Sequence, residues 1–205
     1  YRDRLVLNLY QTQVRSCLIT CLLAGYEVRA FVRDPSKLPE DLKSKVEVVK
    51  GDVLEADSVT NAIEGTDAVV IALGTRGNLD PTSDMSEGTK NIIDAMRAKH
   101  VKTVSACISA FLFYDDDKVP ERFIPLTKDH KRMYEELKGS GLNWIAVFSP
   151  HISDEPSRDI IVEINPEKSP GRAVSKDDLG KFLIDSLVEP KYYKAVIGLC
   201  NVPKA

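Results

Sequence analysis

Two polar side chains close apolar runs where chemistry could sit. Ser109 ends Val101–Ser109, and His151 follows Trp144–Phe148 and Ser149-Pro150. A serine hydroxyl can attack or hydrogen-bond, and an imidazole can move a proton near neutral pH. Nucleophilic hydrolysis fits poorly, because Ser109 lies in Cys-Ile-Ser-Ala-Phe without the glycines of a GxSxG elbow. His100, His130 and His151 form no HxxxH or HExxH spacing, and Cys17, Cys21, Cys107 and Cys200 form no CxxC pair, so no metal site is expected. His130, beside Asp129 near a helix start, reads by position as a surface or capping residue.

Further candidates follow other apolar runs. Arg33-Asp34-Pro35-Ser36-Lys37 comes after Tyr26–Val32. An acid at such a place accepts from a ribose hydroxyl, whereas an arginine suits a 2′-phosphate, so Arg33 and Lys37 point to NADPH or to a solvated basic turn. Gly51-Asp52-Val53 could bracket an adenine, or be an ordinary strand-end turn. Gly74-Thr75-Arg76 is a tight turn that lets backbone approach a ligand, and Cys107, Ser109, Phe111, Pro150, His151 and Ile152 flank the last two strand ends. After the first strand a phosphate-binding turn needs glycine. Asn8-Leu9-Tyr10-Gln11-Thr12-Gln13-Val14 has none, and the first glycine in the chain is Gly25. Tyr10, Gln11 and Val14 are expected in space that a pyrophosphate takes, while Thr12 and Gln13 can still donate hydrogen bonds.

These positions presuppose particular elements. Buried strands are expected at Arg4–Leu9, Tyr26–Val32, Val46–Val49, Ala68–Leu73, Val101–Ser109 and Trp144–Phe148. Helices are expected at Ser16–Ala24 (ended by Gly25), Asp57–Ile63 (closed by Gly65), Asp84–Lys99 and Leu126–Ser140. This alternation implies parallel strands joined by right-handed helical crossovers: an α/β, Rossmann-like, doubly wound sheet in a single domain. The last stretch differs, with a short strand at Ile160–Ile164, a turn-rich Pro166–Gly171, a helix from Lys176 to Leu187 capped by Ser175, and a final strand at Val196–Leu199. Residues 1–205 are expected to form one dinucleotide-binding domain, with 151–205 adding its substrate side.

Composition narrows the class. Hydrophobic residues make up 43% and charged residues 29%, and 28 basic against 31 acidic residues give a net charge of −3. That balance disfavours a nucleic-acid or membrane-surface binder. No apolar run approaches the ~18 residues that span a bilayer. With no leader pattern and no disulfide pattern, a cytoplasmic monomer is expected.

A series of short stretches carries a resemblance: Ala24–Val28, Val32–Asp34, Gly51–Leu54, Leu73–Arg76, Met85–Gly88, Ser109–Leu112, Lys118–Pro120, Asp129-His130, Arg132-Met133, Ser140–Leu142, Pro150–Ile152 and Ser175–Gly180. In this order, from Gly25 to Leu187, the chain resembles the NADPH-dependent flavin reductase/biliverdin-IXβ reductase family, atypical short-chain dehydrogenases/reductases of NmrA-like type. The resemblance implies NADPH as cofactor and a planar small-molecule acceptor, a flavin or a linear tetrapyrrole. It implies that Arg33 and Lys37 hold the 2′-phosphate and that Asp52 and Val53 bracket adenine. Thr12, Gly74, Thr75, Arg76, Cys107, Pro150 and Ile152 would line the cofactor. Ser109 and His151 would face nicotinamide and acceptor, with Phe111 and His130 on the acceptor side.

The family's GxxGxxG turn is replaced here, with Asn8, Gln11 and Val14 at the three glycine positions. Tyr134 and Lys138 have the Tyr-x-x-x-Lys spacing but read as one helical face, since the family does not use that pair. Two classes stay open: a reductase, and a non-catalytic NmrA-like dinucleotide sensor on the same fold. An epimerase relative is a third, disfavoured by the missing catalytic pair.

Overall fold

The computed structural model describes residues 4–9, 14–75 and 77–203. Its strands are β1 (Arg4–Leu9), β2 (Glu27–Val32), β3 (Glu47–Lys50), β4 (Ala68–Ala72), β5 (Thr103–Ser109), β6 (Asn143–Ser149), β7 (His151–Ser153), β8 (Ile160–Ile164), β9 (Ala173–Ser175) and β10 (Ala195–Asn201). The helices are α1 (Val14–Leu23), α2 (Glu40–Lys43), α3 (Ala56–Ile63), α4 (Asp84–Ala98), α5 (Ile124–Gly139) and α6 (Lys176–Asp185).

Strand order in the main sheet is β3-β2-β1-β4-β5-β6-β10-β8. All pairs are parallel except β8 on β10. This is the expected α/β, Rossmann-like single domain. Chain order reverses at β1, which lies between β2 and β4, and there the crest of the sheet opens a crevice.

Strand alternation divides the apolar side chains between two faces. Val28, Ala30 and Val32 of β2, Ala68, Val70 and Ala72 of β4, and Ile145 and Val147 of β6 point one way, onto Cys17, Leu18 and Cys21 of α1 and Leu179, Phe182 and Leu183 of α6. Phe31, Val69, Ile71, Val104, Ala106, Trp144 and Phe148 point the other way, onto Val59 and Ile63 of α3, Met85, Ile92 and Met96 of α4, and Met133 and Leu137 of α5. Tyr134 belongs to this second face, its ring 5.3 Å from Phe148 and 6.0 Å from Trp144, and Lys138 lies 5.9 Å over it. Tyr134 and Lys138 thus share one helical face.

Helix ends explain the short connections. Gly25 adopts φ +82°, the Gly25 N–H bonds the Leu22 carbonyl at 3.2 Å, and the Tyr26 N–H bonds Cys21 at 3.0 Å. That pattern closes a helix and turns the chain directly into β2. Ser175 caps α6, its Oγ accepting from the Asp178 N–H at 3.0 Å. The small parallel pair β7–β9 and the one-turn α2 were not expected from the sequence. No helix among the described residues is long and apolar enough to cross a membrane.

Candidate functional site

Two adjoining hollows lie along the crest and share Leu73, Gly74, Thr75 and Met85. The first, about 130 Å³, is walled by Arg33 after β2, by Asp52 and Val53 after β3, and by Asp80 and Thr82 of the loop after β4. The second, about 230 Å³, is walled by Cys107, Ile108 and Ser109 of β5, by Ser149 at the end of β6 with Pro150 and Ile152 beyond it, and by Leu126 and His130 of α5.

In the first hollow, Arg33 Nη1 lies 3.6 Å from Asp52 Oδ2, and Asp52 Oδ1 accepts from the Leu54 N–H at 3.1 Å. The acid therefore holds both its own turn and the guanidinium. Asp34 Oδ1 accepts from the Ser36 N–H at 3.1 Å and from the Ser36 hydroxyl at 2.6 Å, so that oxygen is engaged within its own turn. Val53 is fixed by α4. The Asn91 amide donates to the Val53 carbonyl at 2.8 Å, and a Cβ on Gly88 would come within 2.6 Å of Val53 Cγ2. Only glycine at 88 permits this approach.

The loop after β4 is built from short polar bonds. The Asp80 N–H donates to Asn78 Oδ1 at 3.0 Å, and the Asp84 N–H to Thr82 Oγ1 at 3.1 Å. The Thr75 hydroxyl donates to the Asn78 carbonyl, which turns the loop back toward Gly74.

The second hollow is more apolar. Ser109 Oγ accepts from the Phe111 N–H at 3.2 Å, which leaves its own hydrogen able to donate into the hollow. Burial pushes the Cys107 thiol up to about 12, with the Ser149 hydroxyl pulling the other way, so the thiol stays protonated. Burial also pulls His130 down to about 4, against a smaller opposing pull from Asp129. His130 is therefore neutral at physiological pH, and its buried Nδ1 has no hydrogen-bond partner among the described residues.

The site expectations divide as follows. Arg33, Asp52, Val53, Gly74 and Thr75 line the first hollow, and Gly74, Thr75, Cys107, Ser109, His130, Pro150 and Ile152 line the second. Thr12 and Arg76 lie outside the described residues, as do Tyr10, Gln11 and Gln13. Three of the expected residues line neither hollow. Lys37 lines neither hollow; it sits on an exposed 3-10 turn with its ammonium 4.0 Å from Asp34, three residues back. Phe111 packs on Phe123, ring centroids 5.1 Å apart. His151 is exposed on β7, because the pleat sends it to the opposite side from Ile152. His130 departs from its surface or capping reading, since α5 delivers it to the second hollow.

Met85, Asp80, Thr82, Leu126 and Ser149 were missed by the sequence reading. Ser149 alone had a usable signal, as the last residue of a strand. No cluster of potential metal ligands occurs among the described residues.

A family profile described as NAD(P)H-binding matches residues 13–190, most of the chain. The chain belongs to this NAD(P)H-binding family. Solved structures agree on the fold. A Rossmann-fold NAD(P)-binding family protein from Shigella flexneri is 19% identical, with TM-score 0.79 over 100% of this chain and 98% of its own. A wide-type short-chain dehydrogenase/reductase from Veillonella parvula, solved in complex with NADP, is 14% identical, with TM-score 0.77 over 98% and 95%. A protein from Bacteroides thetaiotaomicron named for epimerase chemistry is 22% identical, with TM-score 0.81 over 100% of both chains. At these identities the likeness concerns architecture, and chemistry must be argued from the cleft itself.

The donor set suits an NAD(P)H. A guanidinium stands at one end, an apolar residue held by α4 lies beside it, and a serine hydroxyl and an unpartnered imidazole nitrogen stand at the other.

Proposed function

We propose that this protein is an NADPH-dependent reductase that passes hydride to a planar acceptor, a flavin (FMN or riboflavin) or a biliverdin-type linear tetrapyrrole. The supporting observation is the pair of adjoining hollows, one lined by Arg33 and the other by Ser109 and His130. The bound dinucleotide supplies the hydride, and the chain supplies position and electrostatics.

Arg33, steadied by Asp52, meets the 2′-phosphate with a planar fork, while the Asp34 oxygen engaged by Ser36 is withheld from a ribose hydroxyl. Val53 packs on the adenine face. Ser109 donates its hydroxyl hydrogen toward the nicotinamide amide or the acceptor. Neutral His130 offers Nδ1 to a polar edge of the acceptor, such as a ring N–H or carbonyl, which would satisfy a nitrogen that otherwise stays buried without a partner. Leu126, Ile108 and Ile152 exclude water around a flat ring system. No general acid is assigned, because the acceptor can take its proton from solvent.

A second reading, a dinucleotide sensor without turnover, is favoured by Asn8, Gln11 and Val14 at the three glycine positions. One experiment separates the two: titration of the purified protein with NADPH and with NADH, followed by FMN and biliverdin reduction assays. The reductase reading expects tighter binding of NADPH and turnover of at least one acceptor. Binding without turnover of either acceptor supports the sensor, and no binding of either nucleotide overturns both. Arg33→Ala is expected to weaken NADPH by about 10- to 100-fold, the worth of a charge-assisted bond, and to leave NADH nearly unchanged. An equal effect on both nucleotides removes Arg33 from this role.

A further inference from the structure

Three of the motifs that carried the sequence resemblance are Met85–Gly88, Asp129-His130 and Arg132-Met133, and Asp129, Arg132 and Ser86 among them line neither hollow. The fold brings them together. Asp129 of α5 is fully buried against the start of α4, where its Oδ2 accepts from the Met85 N–H at 3.1 Å and its Oδ1 from the Ser86 hydroxyl at 2.5 Å. Arg132, one turn further along α5, donates from Nη2 to Asp129 Oδ1 at 2.9 Å and to the Thr82 carbonyl at 2.6 Å. Its Nε lies 3.4 Å from Ser86 Oγ.

We propose that Asp129 and Arg132 are positioning residues that clasp the 77–83 loop and the first turn of α4 onto α5, and so set the shape of the nucleotide half of the cleft. Every outer end of the network falls on or beside the cleft wall. Thr82 and Met85 line the first hollow, and Met85 also lines the second. His130, next to Asp129 on the helix, lines the second hollow, so one short segment of α5 anchors both halves.

Stability alone is a poor reason for this arrangement. Burying a carboxylate is costly, and apolar packing of similar volume holds two helices together as well or better. What a carboxylate with three directed donors supplies is a single geometry. It also neutralises the positive end of α4, which therefore holds its place with or without a ligand phosphate.

The proposal rests on the reading of the cleft as an NADPH site, and the experiment separates the two. Wild type, Arg132→Ala, Arg132→Lys and Asp129→Asn are compared by amide hydrogen exchange over residues 77–86, by NADPH titration and by FMN-reduction kinetics. The Arg132 side chain is half exposed, so Arg132→Ala is expected to fold even where Asp129→Asn does not. Arg132→Ala should exchange about tenfold faster over 77–86. Its affinity for NADPH should fall about five- to tenfold, and KM for NADPH should rise by more than kcat falls. Arg132→Lys should recover part of both effects. Wild-type exchange rates over 77–86 in Arg132→Ala would overturn the clasp, as would faster exchange with unchanged NADPH affinity. A wild-type protein that binds no NADPH would instead sink the functional reading, and the clasp is then decided by the exchange rates alone.

Discussion

His130 shows how one side chain can report on its surroundings. The imidazole is held near 4 in the folded chain by burial, against an ordinary value of 6.5. Between those two values the unfolded chain binds the extra proton and the folded chain does not. Stability from this residue is therefore complete above about pH 6.5 and is lost as pH falls toward 4. His130→Leu should remove that component. Melting temperatures taken at roughly pH 7.5 and 4.5 should fall further on acidification in wild type than in the variant. Equal falls would mean that the imidazole is not held neutral by the fold. The same side chain is proposed to meet the acceptor, so a bound planar ligand that engages Nδ1 should make the wild-type profile depend on ligand.

At the scale of elements, α4 governs the cleft. Its start is held by Asp129 and Arg132, and near its end Arg97 donates to the Ser140 carbonyl at 2.8 and 3.0 Å, so α4 and α5 are fastened at both ends. Between them Gly88 lets α4 settle onto Val53. Gly88→Ala places a methyl group 2.6 Å from Val53 Cγ2 and 3.3 Å from Leu73 Cδ1, both apolar parts of the first hollow. The added alanine suits a helix but overpacks the contact, so a net loss of about 1–3 kcal/mol is expected by chemical denaturation, with weaker NADPH binding. A stabilised variant with unchanged affinity would show that α4 can shift without moving the adenine wall. The one-turn α2 and the three-residue β7 and β9 were hidden from the sequence by their brevity. No hydrophobic period can show itself over three or four residues.

Across the whole molecule, legibility followed the direction of the argument. The long strands and helices were readable because Ala68–Ala72 and Ile92, Ile93 and Met96 carry unambiguous apolar patterns, and their alternation fixed the Rossmann-like sheet. The antiparallel sense of β8 was not readable, because it depends on how the chain turns back between Ile164 and Ala195. The rule that ligands gather beyond strand ends located Arg33, Asp52, Gly74, Cys107 and Ser109. Lys37, Phe111 and His151, also picked out by it, line neither hollow, since sequence adjacency to a strand end does not say which way a side chain points. The rule could not find Leu126 or Met85, which arrive on helices from distant parts of the chain.

The cysteines packed beneath α1 turn this architecture into a clock. Cys17 is wholly enclosed, and its thiol is pushed to about 12 by that enclosure and by neighbouring Cys107. A maleimide needs both access and thiolate, so it can modify Cys17 only when α1 lifts from the sheet. A dinucleotide whose diphosphate rests at the start of α1 must hold that helix down, and at about a hundred times its dissociation constant it should slow the modification by about a hundredfold. The half-life of Cys17 toward alkylation, followed by peptide mass with and without NADPH, thus registers cofactor occupancy in a protein that need not turn anything over. An unchanged half-life would place the nucleotide, if bound, elsewhere than on the first βα turn.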